Sequence, residues 1–159
     1  MIDANHLLKE IIRPVLNDLR LGGGRAEAMV LGTACKESRC GLWLVQLKNG
    51  PARGIYQMEP TTHDDIWDRY LIHRQELAKK INRWRNQYGN GMGAGEMVGN
   101  LYYATAMCRI QYLRVPTPIP GDLHGQAAYW KQYYNTVEGL GTEQEYVAAW
   151  RQFAPAAWV

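Results

Sequence analysis

Glu37 and Ser38 stand side by side in the stretch CKESRCG (35–41), directly after an apolar run, AEAMVLGTA (26–34), that reads as a helix. A carboxylate near a helix C-terminus faces the negative end of the helix dipole, so its position needs a reason. Two are open. Either the helix end lies at the surface, where an acid is harmless, or the acid is held in a cleft. In a cleft, burial raises its pKa and makes it a proton donor near neutral pH. The chemistry is then general acid–base catalysis. A two-carboxylate mechanism needs a partner, and the next acids along the chain are Glu59, Asp64 and Asp65. Glu59 precedes Pro60 at an expected helix entry, where acids are favoured anyway. His63 beside two aspartates suggests a metal, but adjacent helical residues point apart, and no Cys or His spacing reads as a zinc site. No metal and no organic cofactor is expected.

These residues need elements to hold them. From Asp3 to Arg20 the apolar residues Leu7, Leu8, Ile11, Ile12, Val15, Leu16 and Leu19 follow helical spacing. Asp3 is placed to cap this helix and Gly22 to Gly24 to stop it. Lysines are sparse on its polar face, so the apolar face reads as core rather than a membrane-surface helix. A second helix covers 25–37. The segment LWLVQLKNGPARGIYQM (42–58) is β-prone, and Asn49-Gly50 predicts a tight turn within a short hairpin. Glu59 to Thr62 reads as a helix entry with a threonine cap. The basic stretch HRQELAKKINRWRNQYG (73–89) reads as a solvated helix with one apolar stripe, not a nucleic-acid site. GNGMGAGEM (89–97) fits no phosphate-binding pattern and reads as a flexible connector. The most apolar helix spans 100–115 and is expected to cross the core. Pro116, Pro118 and Pro120 end it, and two further helices follow, at about 122–134 and over EQEYVAAWRQF (143–153).

The 159 residues suffice for one domain with a core, and no repeat or internal boundary is visible. Hydrophobic residues at 47% and charged residues at 21% exclude a disordered chain. Ten Tyr and six Trp against one Phe supply flat faces with polar handles, which suit sugar rings as well as cores. A net charge of +3 mildly favours an anionic partner. The three cysteines, Cys35, Cys40 and Cys108, cannot all pair within the chain, and their number suits synthesis in a reducing compartment. The N-terminus has no signal-peptide pattern, and no apolar run spans a bilayer, so stable membrane insertion is not expected.

Four segments then fall in a recognisable order: Glu37-Ser38 at a helix end, Gly54-Ile55-Tyr56-Gln57-Met58 in the hairpin region, the helix led by Asn100, and Tyr133-Tyr134-Asn135 at a late helix end. Over about 26–136 this order resembles the catalytic domain of lytic transglycosylases of the lysozyme-like superfamily, in particular their phage branch. The resemblance implies a mostly α, lysozyme-like (α+β) fold with a small β-hairpin after the second helix, in a single domain covering 1–159. It implies cleavage of peptidoglycan with Glu37 as the catalytic residue and Ser38, Tyr56, Gln57, Tyr134 and Asn135 as substrate-binding residues. The implied partners are glycan strands, and other phage virion or lysis proteins. The implied setting is synthesis in a host cytoplasm and action on the cell wall. The chain departs from the pattern at Tyr133, where the family has Ala, and at Ala104 and Met107, where it often has Gly and Tyr.

The expected hairpin segment, 42–58, contains no acid, and this bears on the reaction. Hydrolytic glycosidases use two carboxylates. A site with one works if the sugar supplies its own nucleophile: the C6 hydroxyl of N-acetylmuramic acid closing onto C1 gives a 1,6-anhydro ring. This favours a transglycosylase over a hydrolytic muramidase. The remaining alternative is a virion or adaptor protein that binds glycan without turnover.

Overall fold

The computed structural model describes residues 1–85, 93–135 and 139–155, and the chain is mostly helical. The first helix, α1, runs through Ala4–His6, a π-helical stretch Leu7–Ile12 and Arg13–Leu19. Asp3 caps it, its side chain accepting the backbone N–H groups of Asn5 and His6 at 3.0 Å. The wide turn precedes Pro14, whose ring has no N–H to give and clashes with a carbonyl one turn back. The Glu10 carbonyl accepts the Tyr102 hydroxyl instead, at 3.4 Å. Leu7, Leu8, Ile12, Val15, Leu16 and Leu19 are buried, so the apolar face is core, as its spacing predicts. The helix ends at Arg20, which takes the left-handed conformation itself (φ 59°), ahead of the three glycines.

Helix α2, Gly24–Ser38, is buried on every side between Ala26 and Cys35, which is the mark of a central helix. Gly32 makes this possible on one side. A Cβ there would stand 1.9 Å from the Tyr146 hydroxyl, so only glycine lets the last helix approach so closely. Helix α5, Leu101–Leu113, is the second central helix. It buries Tyr103 to Cys108, Ile110 and Tyr112, as its composition predicts, with Asn100 capping it through the Tyr103 N–H. Around this pair stand α3 (Pro60–Asp65, continued by Ile66–Tyr70 and Leu71–His73), α4 (Gln75–Asn82), α6 (Leu123–Trp130, continued by Lys131–Asn135) and α7 (Glu143–Phe153). Helix α7 begins with a capping box in which Thr142 and Glu145 exchange hydrogen bonds.

Three expectations are corrected. First, the β-hairpin does not form, and no strand occurs among the described residues. The chain from 42 to 58 makes only two isolated antiparallel bridges, Val45 with Arg53 and Arg53 with Met58. The turn falls on Lys48 and Asn49 (φ 60° each) rather than on Asn49-Gly50. The Gln46 side chain takes the Ala52 N–H at 3.1 Å, and the chain turns again at Gly54 (φ 76°) before a ladder can extend. Second, α3 has no threonine cap: Glu59 occupies the cap position without a side-chain bond, and Pro60 opens the helix. Third, the Gly-rich connector is not all loose. Gly93–Val98 is a 3₁₀ segment with Ala94, Glu96 and Met97 buried, while 89–92 lie outside the described residues.

That 3₁₀ segment backs the bridged loop. At Gly54 a Cβ would stand 2.5 Å from the Met97 carbonyl oxygen, and the positive φ already disfavours any side chain. Gly54→Ala is therefore expected to destabilise the fold by about 2–3 kcal/mol, read as a lowered urea midpoint with an unchanged m-value.

Candidate functional site

Glu37 lies in the last turn of α2 and lines a cleft of about 450 Å³. The helix is closed behind it by three successive left-handed residues, Arg39 (φ 50°), Cys40 (φ 54°) and Gly41 (φ 83°). The Arg39 and Cys40 N–H groups bond back to the carbonyls of Cys35 and Ala34, and Leu42 N–H to that of Ser38. Two non-glycine residues in this region cost of order 1 kcal/mol or more each, so the turn persists only because its surroundings hold it. Ser38 does much of this. Its buried hydroxyl accepts the Gly41 N–H at 2.8 Å and donates to the Ile55 carbonyl at 2.5 Å. Trp43 folds back over the same turn and donates its indole N–H to the Glu37 carbonyl at 3.1 Å.

Among the described residues the Glu37 carboxylate has one hydrogen-bond partner. The Trp130 indole, on α6, donates to its Oε1 at 2.9 Å. Trp130 is fully buried and packs tilted against Tyr146 at 5.5 Å between ring centroids, with the Lys36 ammonium 5.3 Å from its ring centroid. The Glu37 carboxyl is pushed up from 4.5 to about 7, mainly by burial. The Trp130 bond and the Lys36 charge pull the other way without cancelling it. Glu37 is thus not a solvated helix-end acid. Since Oε1 accepts the indole proton, the carboxyl's own proton belongs on Oε2.

The opposite wall is the bridged loop. Its two consecutive carbonyls before Gln57 are both taken: Ile55 by Ser38, and Tyr56 by the Tyr134 hydroxyl at 2.9 Å. Below them the Tyr56 hydroxyl shares a hydrogen with Thr105 at 2.8 Å. This clamp holds Gln57 in a left-handed conformation (φ 48°) on the cleft surface, its side-chain NH₂ donating to Gly54 O at 2.8 Å. Asn135 lines the same cleft, its Oδ1 fixed by Lys131 Nζ at 3.0 Å.

The structure therefore brings Glu37, Gln57, Tyr134 and Asn135 to one cleft. Ser38 and Tyr56 lie behind its wall, buried, with their hydroxyls committed to the loop and to Thr105. They are placed to position Gln57 rather than to touch a ligand. Two residues that hydrogen-bond Glu37 carry no signal in the motif order: Trp43, which lines the cleft, and Trp130, which is buried behind it. Trp130 lies four residues before Tyr134, so helical spacing alone could have put both on one face. Glu59 also lines the cleft, and is exposed there. His63 is engaged elsewhere, with Nδ1 2.8 Å from Asp64 and Nε2 2.7 Å from the Tyr103 hydroxyl. The Trp67 indole donates to that hydroxyl too, so Tyr103 gives its proton to Nε2, and Nδ1–H faces Asp64. Both ring nitrogens are thereby engaged in hydrogen bonds within the protein. Among the described residues no group of three His, Cys, Asp or Glu could hold a metal ion.

The raised carboxyl has a cost in stability that depends on pH. Folded Glu37 keeps its proton up to about pH 7, whereas the unfolded chain releases it near 4.5. Its contribution is intact below that lower value and is lost as pH rises through 7, by about 3 kcal/mol. Glu37→Gln is expected to be more stable than the wild type by up to that amount at pH 8, with the difference vanishing below pH 4.5, as read by urea unfolding at several pH values. Trp130→Phe removes a donor to the charged form, so a carbon-detected NMR titration should place Glu37 higher than in the wild type. Comparison of the chain with protein-family models, with curated proteins and with solved structures finds no match.

Proposed function

We propose that the chain is a peptidoglycan lytic transglycosylase, cleaving the β-1,4 bond between N-acetylmuramic acid and N-acetylglucosamine. The observation that carries this reading is the enclosed Glu37 carboxyl, protonated near neutral pH at the edge of a polar cleft. Its Oε2 proton goes to the glycosidic oxygen as the bond to C1 breaks. The resulting carboxylate then takes the proton of the muramyl C6 hydroxyl, whose oxygen closes onto C1. Intramolecular attack of this kind lowers the barrier by about 7–11 kcal/mol in good geometry. Gln57 and Asn135 supply fixed dipoles around the developing oxocarbenium charge. The flat faces of Trp43 and Tyr134 suit sugar rings. The motif order along the chain supports the same reading. In the setting we propose, a phage brings the protein to the host wall, as a lysis enzyme or as a virion component.

One observation favours a second reading. Glu59 is a second carboxylate among the described residues lining the cleft, and a hydrolytic muramidase needs such a residue to activate water.

The product decides. Digested peptidoglycan should yield 1,6-anhydro ends, one water lighter than the hydrolysis product and resistant to borohydride. Reducible ends would overturn the transglycosylase reading, and Glu59→Gln should then abolish their formation. Glu37→Gln is expected to slow clearing of a cell-wall suspension by about 10²–10⁴-fold. Wild type and Glu37→Gln clearing equally poorly would instead indicate a glycan-binding protein without turnover.

A further inference from the structure

Cys35 and Cys40 bracket the turn that carries Glu37 and Ser38, and both are buried. Their Sγ atoms lie 3.6 Å apart. The three left-handed residues Arg39, Cys40 and Gly41 produce this approach by folding the chain back on the last turn of α2. The Cys40 N–H bonds to the Ala34 carbonyl at 3.0 Å, and its carbonyl accepts the Ile2 N–H at 2.7 Å. Cys40 is therefore held from both sides against Cys35. Cys108, the third cysteine, lies on α5, beside Tyr134 and Thr33. We propose that Cys35 and Cys40 form a thiol–disulfide exchange site, closing into an intramolecular bridge around Glu37 and Ser38 when a small-molecule disulfide is present.

The two sulfurs share a hydrogen, and this contact holds Cys40 below the usual thiol range, so Cys40 is the attacking thiolate. It displaces one sulfur of the small disulfide, which leaves as a thiolate. Cys35 loses its proton to solvent and attacks the Cys40 sulfur of the mixed disulfide, expelling the second thiolate. Two protein thiols are oxidised and one small disulfide is reduced to two thiols. Attack from outside requires the N-terminal residues to lift from Cys40, so closure is slow in native buffer and speeds up in mildly denaturing urea. The bridge closes a short loop and cross-links the turn already held by Ser38. It constrains the unfolded chain without adding to the cleft.

The full-length protein, purified with its thiols reduced, is incubated with oxidised glutathione, alkylated and digested with trypsin. Cleavage after Lys36 and Arg39 falls inside the loop, so the bridge appears as peptide 26–36 linked to 40–48, with Cys108 alkylated. The expected intact protein is lighter by two hydrogens and melts about 4–8 °C higher than its reduced form. Cys108→Ala should behave identically. Full alkylation of Cys35 and Cys40 after incubation in both native buffer and mild urea would overturn the proposal. So would linkage of either to Cys108, or loss of the bridge in Cys108→Ala. None of these outcomes depends on whether the chain cleaves peptidoglycan.

Discussion

The fold is organised around one unfavourable placement: a carboxyl group at the negative end of a buried helix, shut away from most of the water. Dipole and desolvation both oppose its charged form. The Trp130 indole offers a single hydrogen bond, enough to orient the group but not enough to hold the proton away. Lys36, the adjacent residue, faces the Trp130 ring and Glu145 rather than the carboxylate, its Nζ lying 3.4 Å from Glu145. A cation paired directly to Glu37 would have restored an ordinary acid. With Lys36 engaged there, its charge pulls the Glu37 proton affinity down too weakly to cancel the effect of burial.

The cleft around this group is built indirectly. A regular hairpin would satisfy its own carbonyls by strand pairing. Here the loop from 53 to 58 leaves the carbonyls of Ile55 and Tyr56 to side chains from two distant elements, Ser38 on α2 and Tyr134 on α6. Three parts of the chain are thus locked together around Gln57. The hydroxyls act as fasteners behind the cleft surface.

The helices were legible because their signals are local. Apolar spacing in α1, the cap at Asp3, the boundaries of α7 and the apolar character of α5 all depend on residues within one or two turns. Asn49-Gly50 misled for the complementary reason. A turn dipeptide raises the odds of a hairpin, but strands need a ladder. The left-handed conformations of Lys48, Asn49, Gly54 and Gln57 leave too few extended residues to build one. The Gly-rich stretch misled in the opposite sense, since part of it packs against Gly54, a contact across some forty residues of chain.

Of the site, the sequence by itself determined the identity of the acid and the chain order of the segments that meet it, because residue type and spacing are local properties. It also set the scarcity of nearby carboxylates. Only the tertiary structure decided that Trp130 touches Glu37, that Ser38 and Tyr56 stand behind the wall, and that Glu59 stands on it. Burial, and with it the proton affinity of Glu37, is set by which distant surfaces exclude water from a side chain. That exclusion arises from packing between α2, α6 and the bridged loop, which no short stretch of residues encodes.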